Sequence, residues 1–339
     1  MKKILLVTDT WEGTNGVITT LKKTKQGLEA SGFHVTVIHP GMFPRIPLPF
    51  YREIKIGLAL SRTITKIIKQ ENPEFIHIAT EGPLGLVTRR TCINHDWQFT
   101  TTYHTKFPEY LEERIPLSLR PTYAYVRWFH RASSLVFVAT PSLKEELTQE
   151  GFHNLVQVPL GVDSDFFKKN PHAPIREDLP RPIFVFLGRL APEKNITAFL
   201  ECDLPGTKLV IGDGPYRTFL EKKYHGRAVF TGYQKGEDLI NLLSIASVFV
   251  FPSKTDTFGL VILEAMACGL PAAGFNVPGP KDLITHGVDG YIGDNLQENI
   301  LQCLKLNPEL CRAKALQYTW EKHSEQFIAN QVPIQKLLF

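Results

Sequence analysis

Short apolar runs alternate with amphipathic stretches along this chain, and the alternation runs through twice. In the first series Lys3 to Thr8, His34 to Ile38, Phe75 to Ala79, Gln98 to Tyr103, Leu135 to Ala139 and Leu155 to Val158 read as buried strands with helices between them. A strand that feeds a helix and then a neighbouring parallel strand must cross over one face of the sheet, so such a series builds a parallel sheet covered on both faces. Ser142-Leu-Lys-Glu145 predicts a capping box at the start of one of these helices.

Between Asp165 and Pro182 the periodicity stops, and Pro171, Pro174, Pro180 and Pro182 stand among charges, the pattern of a surface connection. The alternation resumes with Ile183 to Leu187, Lys208 to Ile211, Ala228 to Phe230, Val248 to Phe251 and Leu270 to Gly274, with a helix over Phe258 to Cys268 ended by Gly269. The 339 residues suit two domains. The expectation is an α/β chain of two Rossmann-like, doubly wound domains facing a central cleft, the first over residues 1–165 and the second over 166–317.

Composition removes several classes of function. Apolar residues at 43% and charged residues at 21% are those of a globular protein. No window approaches the roughly 18 apolar residues of a membrane span, and the opening MKKILLVTDT reaches Asp9 too soon for a signal-peptide core, so a cytoplasmic protein is expected. Cys92, Cys202, Cys268, Cys303 and Cys311 form no C-x-x-C pair, which points to buried reduced thiols rather than disulfides or zinc. A net charge of +4 does not suggest a nucleic-acid partner. Residues 1–131 nevertheless hold 18 Lys and Arg against 11 Asp and Glu. Lys22, Lys23 and Lys25, with the loop Pro44 to Arg52, set cations beside apolar side chains, as a peripheral contact with an anionic membrane would require.

In open parallel sheets ligands bind beyond the carboxyl ends of the strands, so the loops after the strands carry the functional information. After the first strand, Glu12-Gly-Thr-Asn15-Gly16-Val17 offers a glycine and a helix start to an anion. Neither it nor Gly212-Asp213-Gly214-Pro215 completes G-x-G-x-x-G, and no P-loop exists. Gly188-Arg189-Leu-Ala-Pro-Glu-Lys194-Asn195 places two cations five apart, with Pro192 and Glu193 expected to begin a helix, a pattern suited to a diphosphate. Ser253 to Glu264 ends a strand, turns at Gly259 and carries Asp256 and Glu264 eight apart, where two carboxylates can hold two hydroxyl groups. His104 ends another strand in Thr102-Tyr-His104-Thr105. Asp163-Ser-Asp165 has the D-x-D spacing of some metal pairs but falls at the connection, so no metal site is assigned.

Asn15 to Val17, TEGPLG (Thr80 to Gly85), YHTKFPEY (Tyr103 to Tyr110), GRLAPEKN (Gly188 to Asn195), GDGP (Gly212 to Pro215) and FPSKTDTFGLVILEAMACGLP (Phe251 to Pro271) together resemble the family-four retaining glycosyltransferases of GT-B fold. Within that family the blocks are similar to GDP-mannose-dependent α-mannosyltransferases and to sulfoquinovosyl and glucosyl diacylglycerol synthases. The resemblance implies a hexose, mannose for preference, moved from GDP-mannose or a UDP-hexose to a lipid or glycan hydroxyl without a metal or other cofactor. A UDP-sugar-dependent diacylglycerol glycosyltransferase and a non-catalytic nucleotide-sugar-binding protein are the alternatives.

Carried over by position, the resemblance implies Asn15, Gly16 and Val17 at the donor diphosphate and acceptor entrance, His104 beside the donor sugar, and Arg189 and Lys194 on the diphosphate. Asp256 would hold sugar hydroxyls and Glu264 the ribose. Asp213 and Gly214 would belong to the donor site, the amides of Phe258, Gly259 and Leu260 would meet sugar and phosphate, and Gly232 and Tyr233 would lie near the base. Asp256 stands where relatives more often have Glu, and Leu160 where they often have Arg. Tyr318 to Phe327 is similar to the last helix of the family, which implies that residues of about 318–339 cross back onto the first domain.

Overall fold

A computed structural model describes residues 1–13, 15–48, 51–106, 108–109 and 119–334. The chain divides into two compact units. The first takes the described residues of Met1–Pro108, Leu117–Pro159 and Trp320–Phe339, and the second is built on Leu160–Thr319.

In the first unit the strands are β1 (Lys3–Val7), β2 (His34–Ile38), β3 (Arg45–Leu48), β4 (Tyr51–Gly57), β5 (Phe75–Ile78), β6 (Thr100–Thr102), β7 (Leu135–Val138) and β8 (Leu155–Gln157). Six of them form one sheet in the order β2-β1-β5-β6-β7-β8. Its pairings are parallel, in a register that sets Ile4 against Val35 on one side and Phe75 on the other. Ile4, Leu5, Leu6 and Val7 are all buried, as a central strand covered on both faces requires. The order reverses beside β1, so the loops after β1 and β5 diverge there and leave a crevice.

The described residues of Pro44 to Arg52 are not the loop expected but part of a hairpin that runs on to Gly57. β3 and β4 pair antiparallel, with Arg45 opposite Gly57, and the Arg45 guanidinium holds Glu12 at 2.8 Å. A Pro-rich stretch masks period-two alternation, which is why the hairpin is hard to read from sequence. Residues 49–50 lie outside the described part. Lys22 is exposed on the helix Gly16–Ala30, while Lys25 pairs with Glu29 one turn on.

The cap at residues 140–145 also differs from expectation. Thr140, not Ser142, is the N-cap of the helix Pro141–Gln149, and its hydroxyl accepts the Leu143 N–H at 3.3 Å. Pro141, with its fixed φ and missing N–H, is suited to the first helical position, which moves the start two residues earlier.

The helix Trp320–Ala329 belongs to the first unit and packs on the helix Gly16–Ala30. A Cβ on Gly27 would stand 1.9 Å from Ser324 Oγ, so only glycine permits that approach. His323 fixes the packing through Thr24 Oγ1 and the Pro159 carbonyl, each at 2.8 Å. Residues 335–339 of the expected C-terminal segment lie outside the described part.

The second unit carries β9 (Ile183–Leu187), β10 (Thr207–Ile211), β11 (Val229–Gly232), β12 (Val248–Phe251), β13 (Ala272–Gly274) and β14 (Gly290–Ile292). They form one parallel sheet in the order β11-β10-β9-β12-β13-β14. This is the dinucleotide-fold order, whose switch point lies between its first and fourth strands, β9 and β12. β14, only three residues long, is too short to stand out in the sequence. All five cysteines are free and buried, and burial pushes the thiols of Cys92, Cys268, Cys303 and Cys311 up to about 12. No described helix is long and apolar enough to cross a membrane.

Candidate functional site

At the switch point of the second unit, the loop after β9 is tied to the loop after β12 by side chains the sequence singled out. Lys194 Nζ donates to Asp256 Oδ1 at 2.6 Å. Asn195 Nδ2 donates to the Pro252 carbonyl at 3.1 Å, and Ser253 Oγ to the Glu193 carbonyl at 3.2 Å. Pro192 and Glu193 do not begin the helix as expected. They form one 3-10 turn, Asn195 then adopts a left-handed conformation with φ 49°, and the helix runs over Ile196–Glu201. That turn is what brings Lys194 to Asp256.

The other oxygen of this carboxylate, Asp256 Oδ2, is buried and has no hydrogen-bond partner among the described residues. A buried carboxylate oxygen without a donor costs free energy, on the order of 1–3 kcal/mol, so it is set to accept a hydroxyl from outside the chain. Beside it, Gly259 takes φ +89° and starts the helix Leu260–Ala267, and no side chain caps that helix. A Cβ on Gly259 would meet Ile262 Cδ1 at 2.8 Å, so the turn that aims the first helical amides requires glycine. Those uncapped amides and the positive end of the helix dipole suit an anion.

Arg189 is exposed at the end of β9. Its loop rests on the loop after β10, backbone against backbone. Leu190 N donates to the Asp213 carbonyl at 2.9 Å, and Gly188 N to the Ile211 carbonyl at 3.0 Å. Side chains on Gly212 and Gly214 would come within 1.9 Å of the Gly188 carbonyl oxygen and 2.4 Å of that of Leu190. These glycines are therefore demanded by the packing of two loops, which accounts for G-D-G without a dinucleotide fingerprint. Asp213 is engaged locally, and the Gly214 N–H and Arg217 hold its carboxyl below the usual range. Gly212 N donates to the Gly232 carbonyl at 2.8 Å, and the next residue, Tyr233, is 56% exposed. The Phe258 side chain is buried and lies edge-on to Tyr318, so only its backbone is offered to a ligand. Glu264 is half-buried, and burial pushes its carboxyl up to about 7.

In the first unit Asn15 caps the helix Gly16–Ala30, its side chain accepting the Ile18 N–H at 2.9 Å. A Cβ on Gly16 would meet nothing within 4 Å, so the protein's own packing does not require glycine there. Val17 is half-buried in the first turn. His104 follows β6 and is half-buried. Burial, with His323 and His130 nearby, pushes it down to about 3, so the ring is neutral at ordinary pH. Phe107 and Tyr110 of the same block lie outside the described residues. Asp163 Oδ1 accepts the Phe166 N–H at 3.1 Å, a local turn bond, and among the described residues no cluster of three His, Cys, Asp or Glu could hold a metal.

Sequence reasoning missed Asp9. It lies at the end of β1, and its carboxylate accepts the Thr80 hydroxyl at 2.8 Å and the N–H groups of Leu84 and Gly85 at 2.7 and 3.4 Å. The start of the helix Pro83–Asn94 thus already holds an anion, supplied by the chain itself. An acid directly after the first strand was the available signal.

Comparison with known proteins agrees with this arrangement. Residues 14–166 match the model described as Glycosyltransferase Family 4, and residues 167–311 the model described as Glycosyl transferases group 1. The chain is 31% identical over 287 residues to the sulfoquinovosyl transferase SQD2 of Arabidopsis thaliana, with 80% of this chain and 55% of that protein covered. It is 27% identical over 310 residues to a GDP-mannose-dependent alpha-mannosyltransferase of Corynebacterium glutamicum, with 83% of this chain and 73% of that protein covered. In fold it resembles the sucrose-phosphate synthase of Thermosynechococcus elongatus, with TM-score 0.79, 18% identity and coverage of 97% and 98%. Anabaena HepE in complex with UDP and glucose gives TM-score 0.72, 18% identity and coverage of 97% and 99%. The chain belongs to the glycosyltransferases of GT-B fold, with a family 4 domain followed by a group 1 domain.

Proposed function

We propose that this glycosyltransferase moves a hexose from a nucleoside diphosphate sugar to an alcohol on a lipid or glycan, with retention at the anomeric carbon and without a metal. The observation that carries the reading is Asp256, whose one oxygen is held by Lys194 while the other is buried without a partner at the switch point of the second unit.

Breaking the bond between sugar and phosphate leaves extra negative charge on the diphosphate and cationic character on the anomeric carbon. Arg189, Lys194 and the uncapped amides at Leu260 neutralise the first, and Asp256 Oδ2 takes a sugar hydroxyl. Glu264 receives a ribose hydroxyl, a ligand that would offset the burial of its carboxyl. Gly232 and Tyr233 border the base, and Asp213 and Gly214 hold the loop that carries Arg189. In the first unit His104 is neutral and is suited to hydrogen-bond a hydroxyl rather than to remove a proton. The departing phosphate takes the proton of the incoming alcohol on the same face.

GDP-mannose as donor is supported by the relative from Corynebacterium glutamicum, and transfer of a sulfoquinovosyl group is the reading the Arabidopsis relative supports. The test is to incubate the protein with GDP-mannose, UDP-glucose and UDP-sulfoquinovose in turn, each with and without alcohol acceptors and with a chelator present. Release of nucleotide with one donor, and an α-configured product by NMR, is the expected result. Release that needs added metal, or a β-configured product, would contradict it.

A further inference from the structure

The crevice beside β1 in the first unit holds a carboxylate whose setting is more specific than any role so far assigned to it. Glu81 follows β5 two residues after Ala79. Its side chain is 16% exposed, and its Oε1 lies 3.0 Å from Nε2 of His130, whose side chain is fully buried.

The hydrogen bonds around His130 hold its ring from both nitrogens. Ser133 Oγ donates to the His130 carbonyl at 2.7 Å and accepts from Thr101 Oγ1 at 3.1 Å. His130 Nδ1 lies 2.9 Å from Thr101 Oγ1, and its Nε2 lies 3.0 Å from Glu81 Oε1. Glu81 Oε1 is thereby committed inward, and Oε2 is the oxygen left for a ligand.

The surroundings define what that ligand is. The Asp9 carboxylate is close enough to feel Glu81, and the helix start beside both is already occupied by Asp9. The Glu81 carbonyl accepts the Tyr125 hydroxyl at 2.6 Å, which pins the backbone. The ionisable groups near the pair are Asp9 after β1, Tyr125 on the helix Leu119–Arg131, His104 after β6 and Arg89 on the helix Pro83–Asn94, with His77 of β5 and His323 behind them. The Arg89 guanidinium is spent on the carbonyls of Phe129 and Trp128, each at 2.8 Å. No cation in this set offers itself to a phosphate, and two carboxylates would repel one. A hydroxyl group can donate to Glu81.

We propose that Glu81 binds the alcohol that accepts the sugar, and that buried His130 is its positioning residue. The inference rests on the preceding reading that an alcohol is the second substrate. The shared chemistry is a hydroxyl next to further oxygens, from a glycerolipid or from a sugar.

The test follows the His130 ring nitrogens by NMR while the whole protein, wild type and Glu81→Gln, is titrated with methyl α-mannoside and, separately, with dioctanoylglycerol in detergent micelles. One of the two should shift His130 in the wild type, identifying the source, and Glu81→Gln should weaken that binding by about 10-fold or more, the loss of one charge-assisted hydrogen bond. His130→Gln should weaken it as well. In the double variant the two losses should not add, because the residues act on one oxygen, whereas a merely structural histidine would add its own effect. Wild type and Glu81→Gln should bind GDP or UDP equally by calorimetry. Absence of a His130 shift with both alcohols, or alcohol binding undiminished in Glu81→Gln, overturns the proposal. Failure of both nucleotides to bind the wild type would count against the donor reading instead, and the alcohol titrations would still decide this one.

Discussion

The crevice after β1 and β5 and the crevice after β9 and β12 occupy corresponding places in two doubly wound sheets, yet they are finished with opposite chemistry. In the first unit the loops carry Asp9 and Glu81, and the two helices that begin there are capped by Asp9 and by Asn15. In the second unit the loops carry Arg189 and Lys194, and the helices starting at Ile196 and Leu260 have no side-chain cap. A fold that supplies helix amides at both places offers an anion site twice. The chain fills one with its own carboxylate and leaves the other without a side-chain cap. Fold alone therefore does not tell the two crevices apart, and the capping residues do.

The largest effect that sharpens this contrast is on turnover. Arg189→Ala or Lys194→Ala should lower kcat by roughly 100 to 1,000-fold, the usual cost of removing a preorganised donor from a leaving group, measured as nucleotide release. Asp9→Ala should change kcat by less than about 3-fold, since its charge is spent within the protein.

Next in size is Gly212→Ala. At φ +139° its Cβ would meet the Gly188 carbonyl, so the loop carrying Arg189 must move. A loss of about 2–4 kcal/mol in urea unfolding is expected, with weaker nucleotide binding. An unchanged urea midpoint would show that the two loops are not locked.

Glu264 gives a pH-dependent effect. Its folded carboxyl is raised from the ordinary 4.5 to about 7, so folding favours the protonated form. Its contribution is intact below about 4.5 and is lost as pH climbs towards 7. Glu264→Gln should therefore be more stable than the wild type at pH 8, by on the order of 2 kcal/mol, with the difference fading by pH 4.5. A pH-independent difference would mean that the carboxyl is not buried as described.

The smallest effect belongs to the self-filled site. Asp9→Ala removes the acceptor for Leu84 and Gly85 and should cost about 1–2 kcal/mol of stability without altering nucleotide affinity. A changed affinity would erase the distinction between the two crevices.

Much of this was legible in the sequence because burial on both faces writes strands as unbroken apolar runs, as in Ile183 to Leu187 and Val248 to Phe251. The loops Gly188 to Asn195 and Ser253 to Glu264 stood out because charges directly after such runs have few structural uses. The hairpin of β3 and β4 was not legible, since prolines interrupt its alternation. The pairing of Lys194 with Asp256 was hidden because the residues stand 62 apart and meet only through a left-handed Asn195. The partners of Asp9 and the partnership of Glu81 with His130 were hidden for the same reason: sheet order brings these residues together, which no local pattern encodes.

Calorimetric titration of GDP and UDP into the wild type, Lys194→Ala and Asp9→Ala tests the contrast most directly. One nucleotide should bind the wild type and Asp9→Ala alike, and Lys194→Ala at least about 10-fold more weakly. Equal affinity in all three, or a loss confined to Asp9→Ala, would place the diphosphate away from the loops after β9 and β12.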